Sequence, residues 1–217
     1  MQVFVESGAK KVFAGAVDWP GWARSGKTEE VALDALVRYG SRYKTSMGSA
    51  AGNLQLPGHR GELEVAARLR GGAGTDFGAP SIVADFDRRA FSDAELNRLG
   101  ELLRAAWNAF DAAADRAEGR PLATGPRGGG RSLDKIREHV LEADGAYIGA
   151  LGARRPGGRA SRPEVQDAFL AGLEAKIRGE LPERGPRGGE RWPARYAVRR
   201  SAWHALDHAW EIEDRST

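Results

Sequence analysis

The apolar positions of this chain change period once, near residue 90, and that change divides it into two parts. Before it, short apolar runs are bounded by turn residues. Val3, Phe4 and Val5 predict a first strand, and Val12, Phe13, Ala14 and Ala16 predict a second after the Ser7-Gly8 turn. Trp19-Pro20-Gly21-Trp22 then ends that strand. Thr28 is placed to cap a helix whose first turn carries Glu29 and Glu30, where carboxylates complement the helix dipole. Val31, Ala32, Ala35, Leu36 and Tyr39 follow at helical spacing and extend the prediction to about Lys44. Further strands are expected over residues 62–69 and 81–86, separated by a Gly71-Gly72-Ala73-Gly74 turn.

From Ser92 onward the spacing becomes helical and predicts four helices. Ser92-Asp93-Ala94-Glu95 forms a capping box, and Leu96, Leu99, Leu103, Ala106 and Phe110 supply the stripe behind it. The second helix is expected over residues 132–151, with Ile136, Val140, Ala143 and Tyr147 inward. Ser161-Arg162-Pro163-Glu164 starts a third, which continues through Val165, Phe169, Leu173 and Ile177. The last begins near Pro193 and ends near Asp214. Four amphipathic segments joined by Gly-rich loops suit a four-helix bundle. The fold class expected is α+β, a small β/α domain over residues 1–90 followed by an up-and-down four-helix bundle over residues 91–217. Gly125-Pro126-Arg127-Gly128-Gly129-Gly130-Arg131 and Gly185-Pro186-Arg187-Gly188-Gly189-Glu190-Arg191 echo one another before the second and fourth helices, which would place both arginine-bearing loops at one end.

Composition narrows the chemistry. The chain has 217 residues and no cysteine, so disulfides, thiolate metal sites and a cysteine nucleophile are excluded. A metal here is held by nitrogen and oxygen. The 33 basic residues are nearly balanced by 30 acidic ones, and no basic run is interleaved with aromatics, which argues against a nucleic-acid partner. No transmembrane-length apolar run or signal-peptide segment is present, so a cytoplasmic protein with no membrane partner is expected.

Two of the four histidines, His204 and His208, stand one helical turn apart in Trp203-His204-Ala205-Leu206-Asp207-His208-Ala209-Trp210. Residues at i and i+4 share a helix face with Cβ atoms about 5–6 Å apart, so two imidazoles there can meet one ion. Such a pair also occurs as two half-buried side chains with no metal. His139 lies on or beside the inward stripe of the second helix. A rise of about 1.5 Å per residue puts it roughly 12 Å beyond Arg131, and puts His204 and His208 about 20 and 26 Å beyond Arg191. Loop offsets allow a common level. Three neutral imidazoles with an open position are a catalytic metal arrangement, in which the ion lowers the pKa of a bound water or thiol. Glu142 and Glu211, each three residues after a histidine, are candidates to orient a ligand or act as general base, and Asp207 is a weaker one. Arg195, Arg199 and Arg200 are candidates to bind an anionic substrate group, unless they belong to a solvated face. Trp107, Trp192, Trp203, Trp210 and Tyr196 read as packing residues, and His59 lies in a loop without an assigned role.

The stretches from Leu133 to Ala143 and from Arg199 to Glu211, with His139 and the His204-x-x-x-His208 pair, resemble the DinB/YfiT-like metalloenzymes. The resemblance covers about residues 92–214. It implies a four-helix bundle with a divalent metal, zinc or nickel, on His139, His204 and His208. It further implies a small-molecule substrate such as a low-molecular-weight thiol, used by an S-transferase or isomerase. The stretch from Phe13 to Ala32, with its Pro20-Gly21 turn and Gly26-Lys27-Thr28-Glu29-Glu30-Val31-Ala32 helix entry, is similar to HicB-like domains. No helix-turn-helix or ribbon-helix-helix accompanies it, so a repressor role does not follow. Its expected role is packing against the bundle or association, the latter giving a homodimer. The competing expectation is a non-catalytic sensor or interaction protein in which the metal is structural or absent.

Overall fold

The computed structural model describes residues 1–124 and 130–216, so residues 125–129 of the first echo lie outside the described residues. Strands β1 (Gln2–Ser7), β2 (Val12–Ala16), β3 (Ala23–Gly26) and β4 (Glu64–Arg70) form one sheet ordered β3-β2-β1-β4. β1 pairs antiparallel with β2, Val3 opposite Ala16, and parallel with β4. A parallel pair needs a crossover, which the chain supplies through α1 (Glu29–Arg38) and α2 (Gly40–Met47). Thr28 caps α1 as expected, its side chain accepting from the Val31 amide. The single helix expected to Lys44 is instead two. The break falls at Tyr39, which ends α1 and precedes α2, and the next residue, Gly40, packs closely on the Trp22 ring, where a Cβ would stand 3.0 Å away.

Val3, Phe4 and Val5 are each at most 1% exposed, because both faces of β1 are covered. Val3 and Val5 join Ala32 and Leu36 of α1, while Phe4 packs with Ala84 and Phe86. The segment carrying those two is not the strand expected over residues 81–86. Glu6 is fully buried, and its carboxylate accepts from the Ser81 and Ile82 amides at 2.9 and 3.1 Å and from Thr75 Oγ1. A carboxylate that takes these amides leaves them no strand to pair with. The chain then enters a 3-10 turn at Asp85–Arg88. The glycine turn at residues 71–74 likewise leads into a short helix, α3 (Ala73–Phe77).

Four long helices follow, α4 (Asp93–Arg116), α5 (Leu133–Leu151), α6 (Arg162–Ile177) and α7 (Ala194–Arg215). Ser92 and Ser161 form the two capping boxes with Glu95 and Glu164, and Ser132 caps α5. α7 is the central helix, with 16 of its 22 residues buried. It runs along α4, meets α5 and α6, and on another side receives the sheet. A helix covered on several sides needs apolar or paired residues nearly all round, as α7 has. The sheet reaches it through Phe13, edge-on to Trp203 at 6.0 Å, and through the Pro20-Gly21 turn. Gly21 has φ +91, and a Cβ there would stand 2.7 Å from Leu206 and 3.2 Å from the Ala202 backbone. One hydrophobic cluster extends from Val3 to Ile212, so the two parts share a core. No helix among the described residues is long and apolar enough to cross a membrane.

Candidate metal centre

α5 and α7 pack face to face, and three imidazoles meet at that seam. Ile136 and Val140, at most 1% exposed, hold the His139 turn against the core. His204 and His208 are 7% and 9% exposed. One ligand atom from each of the three lies within 4.8 Å of the other two. The ring centroids stand 4.9 Å apart for His139 and His204, 5.1 Å for His139 and His208, and 4.6 Å for His204 and His208.

The donor set fits a divalent cation. His139 Nε2 and His204 Nε2 are 3.1 Å apart, which suits either one hydrogen bond or two lone pairs facing one ion. Two nitrogens at about 2.05 Å from a tetrahedral zinc would be about 3.3 Å apart. His208 contacts Glu211 Oε2 through Nδ1 at 2.7 Å. With the ring neutral, that nitrogen is the donor and the Nε2 lone pair is left free for the ion. Glu211 is itself held by Arg215 at 2.6 Å. The His208 and Arg215 donors keep its carboxyl below the usual carboxylate range, so it stays an acceptor. Burial pushes the His204 imidazole well below its ordinary pKa, with His208 and Arg200 adding to it. Burial and then His208 lower His139 as well. Neutral imidazoles are the protonation state that metal binding requires.

The surroundings are aromatic and charged. The Tyr147 ring stands 6.1 Å from His204 and 5.1 Å from Trp192, and burial raises its hydroxyl pKa. Arg200, one turn before His204, lies with Cζ 4.8 Å from the Trp203 ring and 5.8 Å from that of Tyr147. Deeper in the seam, Asp144 accepts from Ser201 Oγ at 2.6 Å, and Ser201 accepts from Trp107 Nε1. Asp144 Oδ2 and Arg162 Nη1 are 3.8 Å apart and neither is hydrogen-bonded.

Of the sequence candidates, the structure brings His139, His204, His208 and Glu211 together, sets Arg200 at their border, and leaves Glu142, Asp207, Arg195 and Arg199 in other contacts. Glu142 is exposed and lines a groove with Arg155 and Arg159. Arg195 and Arg199 do not face the histidines. Arg195 donates to the Arg89 and Ala90 carbonyls and to Glu95, where it tethers the chain before α4. Arg199 is 5% exposed and donates twice to Asp87, at 2.6 and 3.2 Å, beneath the Phe4 ring. Both arginines are structural ties, and of the three candidates only Arg200 borders the site. Its position four residues before His204 is the signal that singles it out. Asp207 accepts from Arg24 of β3 at 3.1 Å, and His59 caps the 3-10 turn at Arg60–Glu62 through the Gly61 amide. No family model, curated protein or solved structure matches this chain, so the reading of the site rests on its geometry.

Proposed function

We propose that this chain is a metal-dependent enzyme of the DinB/YfiT-like type, with zinc or nickel held by His139, His204 and His208. The observation that supports this reading is the convergence of those three side chains from two helices within 4.8 Å. In it, the four long helices are the family's bundle, and residues 1–90 are a HicB-like domain seated on α7. A divalent ion, when bound, lowers the pKa of water or of a low-molecular-weight thiol and so supplies a nucleophile near neutral pH.

The chain's own residues prepare that chemistry. Glu211 accepts the His208 Nδ1 proton and keeps the Nε2 lone pair directed into the seam. Both of its oxygens are engaged, one by His208 and one by Arg215, which makes it a positioning residue and not a proton carrier. Burial holds His139 and His204 neutral. The Tyr147 ring, backed by Trp192, lines the His204 side.

Metal analysis of protein purified without an affinity tag tests the reading. The expected result is one divalent ion per chain, lost in His204→Ala, together with turnover of a thiol conjugate that stops on chelation. Absence of stoichiometric metal, or a His204→Ala variant with unchanged metal content, overturns it.

A further inference from the structure

α7 carries Arg195, Arg199, Arg200 and Arg215, and three of these have a carboxylate partner: Glu95, Asp87 and Glu211 respectively. Arg200 has none among the described residues, and its Nη1 is buried without a hydrogen-bond partner. Arg200 is half-buried, and a donor nitrogen left in that state costs free energy, because burial strips its water and nothing replaces it. The Tyr147 hydroxyl is within hydrogen-bonding reach of Arg200, but a second donor beside it is in the same condition. Trp203 Nε1 is buried without an acceptor, and the guanidinium carbon lies 4.8 Å from the centre of that indole.

Two unsatisfied donors beside a three-histidine cluster describe an acceptor that arrives with the ligand. We propose that Arg200, with Trp203 Nε1, forms the anion-binding part of the site and selects a small organic molecule bearing a carboxylate next to its reacting atom. This inference rests on the metal-centre reading above. A carboxylate matches the guanidinium fork with two parallel hydrogen bonds and carries one charge to meet one unpaired cation. The flat walls made by Tyr147 and Trp203 suit a planar ligand. Arg200 and His204 share a helix face one turn apart, so a ligand anchored at Arg200 presents its next few atoms to the histidines.

Calorimetric titration of benzoate, benzamide and phenyl phosphate into zinc-loaded and metal-free protein tests the inference. Benzoate is expected to bind, with benzamide at least tenfold weaker, since a charge-assisted bond to a half-buried guanidinium is worth about 10- to 100-fold in affinity. Arg200→Gln should lose that factor for benzoate while zinc affinity, read by chelator competition, stays unchanged. Arg200→Lys keeps the charge without the fork and should fall between the two. That variant carries the test if Arg200→Gln fails to fold. Equal binding of benzoate and benzamide, tighter binding of phenyl phosphate, or Arg200→Lys and Arg200→Gln both matching the parent overturns the inference and leaves the metal reading intact. Failure to bind zinc alongside Arg200-dependent benzoate binding does the reverse.

Discussion

Arg199 and Arg200 are neighbours on one buried helix, yet they face two regions built on opposite rules. On the sheet side, Arg199 and Asp87 are 6% and 1% exposed at their side chains and bond to one another, and Asp87 also accepts from the Ala84 amide. Toward the histidines, Arg200, Trp203 and His204 each keep a buried nitrogen with no partner, although the Trp203 ring also meets the sheet at Phe13. Paired charges hold elements in register, whereas unpaired donors are costly and persist where a ligand completes them. The contrast separates a paired arginine from an unpaired one on adjacent residues, which composition could not do.

The largest effect should come from breaking the closed side. Asp87→Ala strands a buried guanidinium and is expected to cost about 3–5 kcal/mol, measured by urea unfolding. Replacing both partners, Asp87→Leu with Arg199→Met, should recover most of that loss. Additive losses would show that the pair is not the unit it resembles.

Asp144 gives the next test, because it lies between the two rules: one oxygen is bonded to Ser201 and the other is bare. Burial pushes its carboxyl up to about 6 from 3.8. The folded state therefore holds the proton more tightly, and stability falls as pH rises from about 4 to about 6. A displacement of about two pKa units corresponds to about 3 kcal/mol at most. Asp144→Asn carries no charge to lose, so its melting temperature should gain on that of the parent across this window. A gap constant with pH would remove Asp144 from the account.

The smallest expected change is on the open side. Glu211→Gln keeps the shape but weakens the grip on His208 Nδ1, and should lower zinc affinity by about 10- to 100-fold with little loss of fold. An unchanged affinity would mean that His208 is oriented by packing alone.

The helices were legible in the sequence because their start signals are local: Ser92 with Glu95 and Ser161 with Glu164 are complete within four residues. The histidine pair was legible for a similar reason, since i and i+4 share a helix face. Helical rise only allowed His139 the same level, and the family resemblance added it to the set that the structure brings together. The segment over residues 81–86 was not legible. Ile82 and Val83 look like strand residues, and only the distant Glu6 carboxylate, which takes the Ser81 and Ile82 amides, decides otherwise. The single helix expected to Lys44 was likewise interrupted, at Tyr39, just before Gly40 packs on the distant Trp22. Arg195 and Arg199 were drawn to the site by their nearness in sequence. Their true partners, Glu95 and Asp87, lie 100 and 112 residues away.

The glycine at position 21 sets a practical limit on taking this molecule apart. Its turn is wedged against Ala202 and Leu206, in the same stretch of α7 as His204 and His208, and Arg24 from the neighbouring strand reaches Asp207. The period change near residue 90 marks where the sequence alters its grammar, but it is no seam for scissors. A fragment begun there would leave Ala202 and Leu206 bare to water next to the imidazoles, so a miniature of this centre has to carry its sheet along.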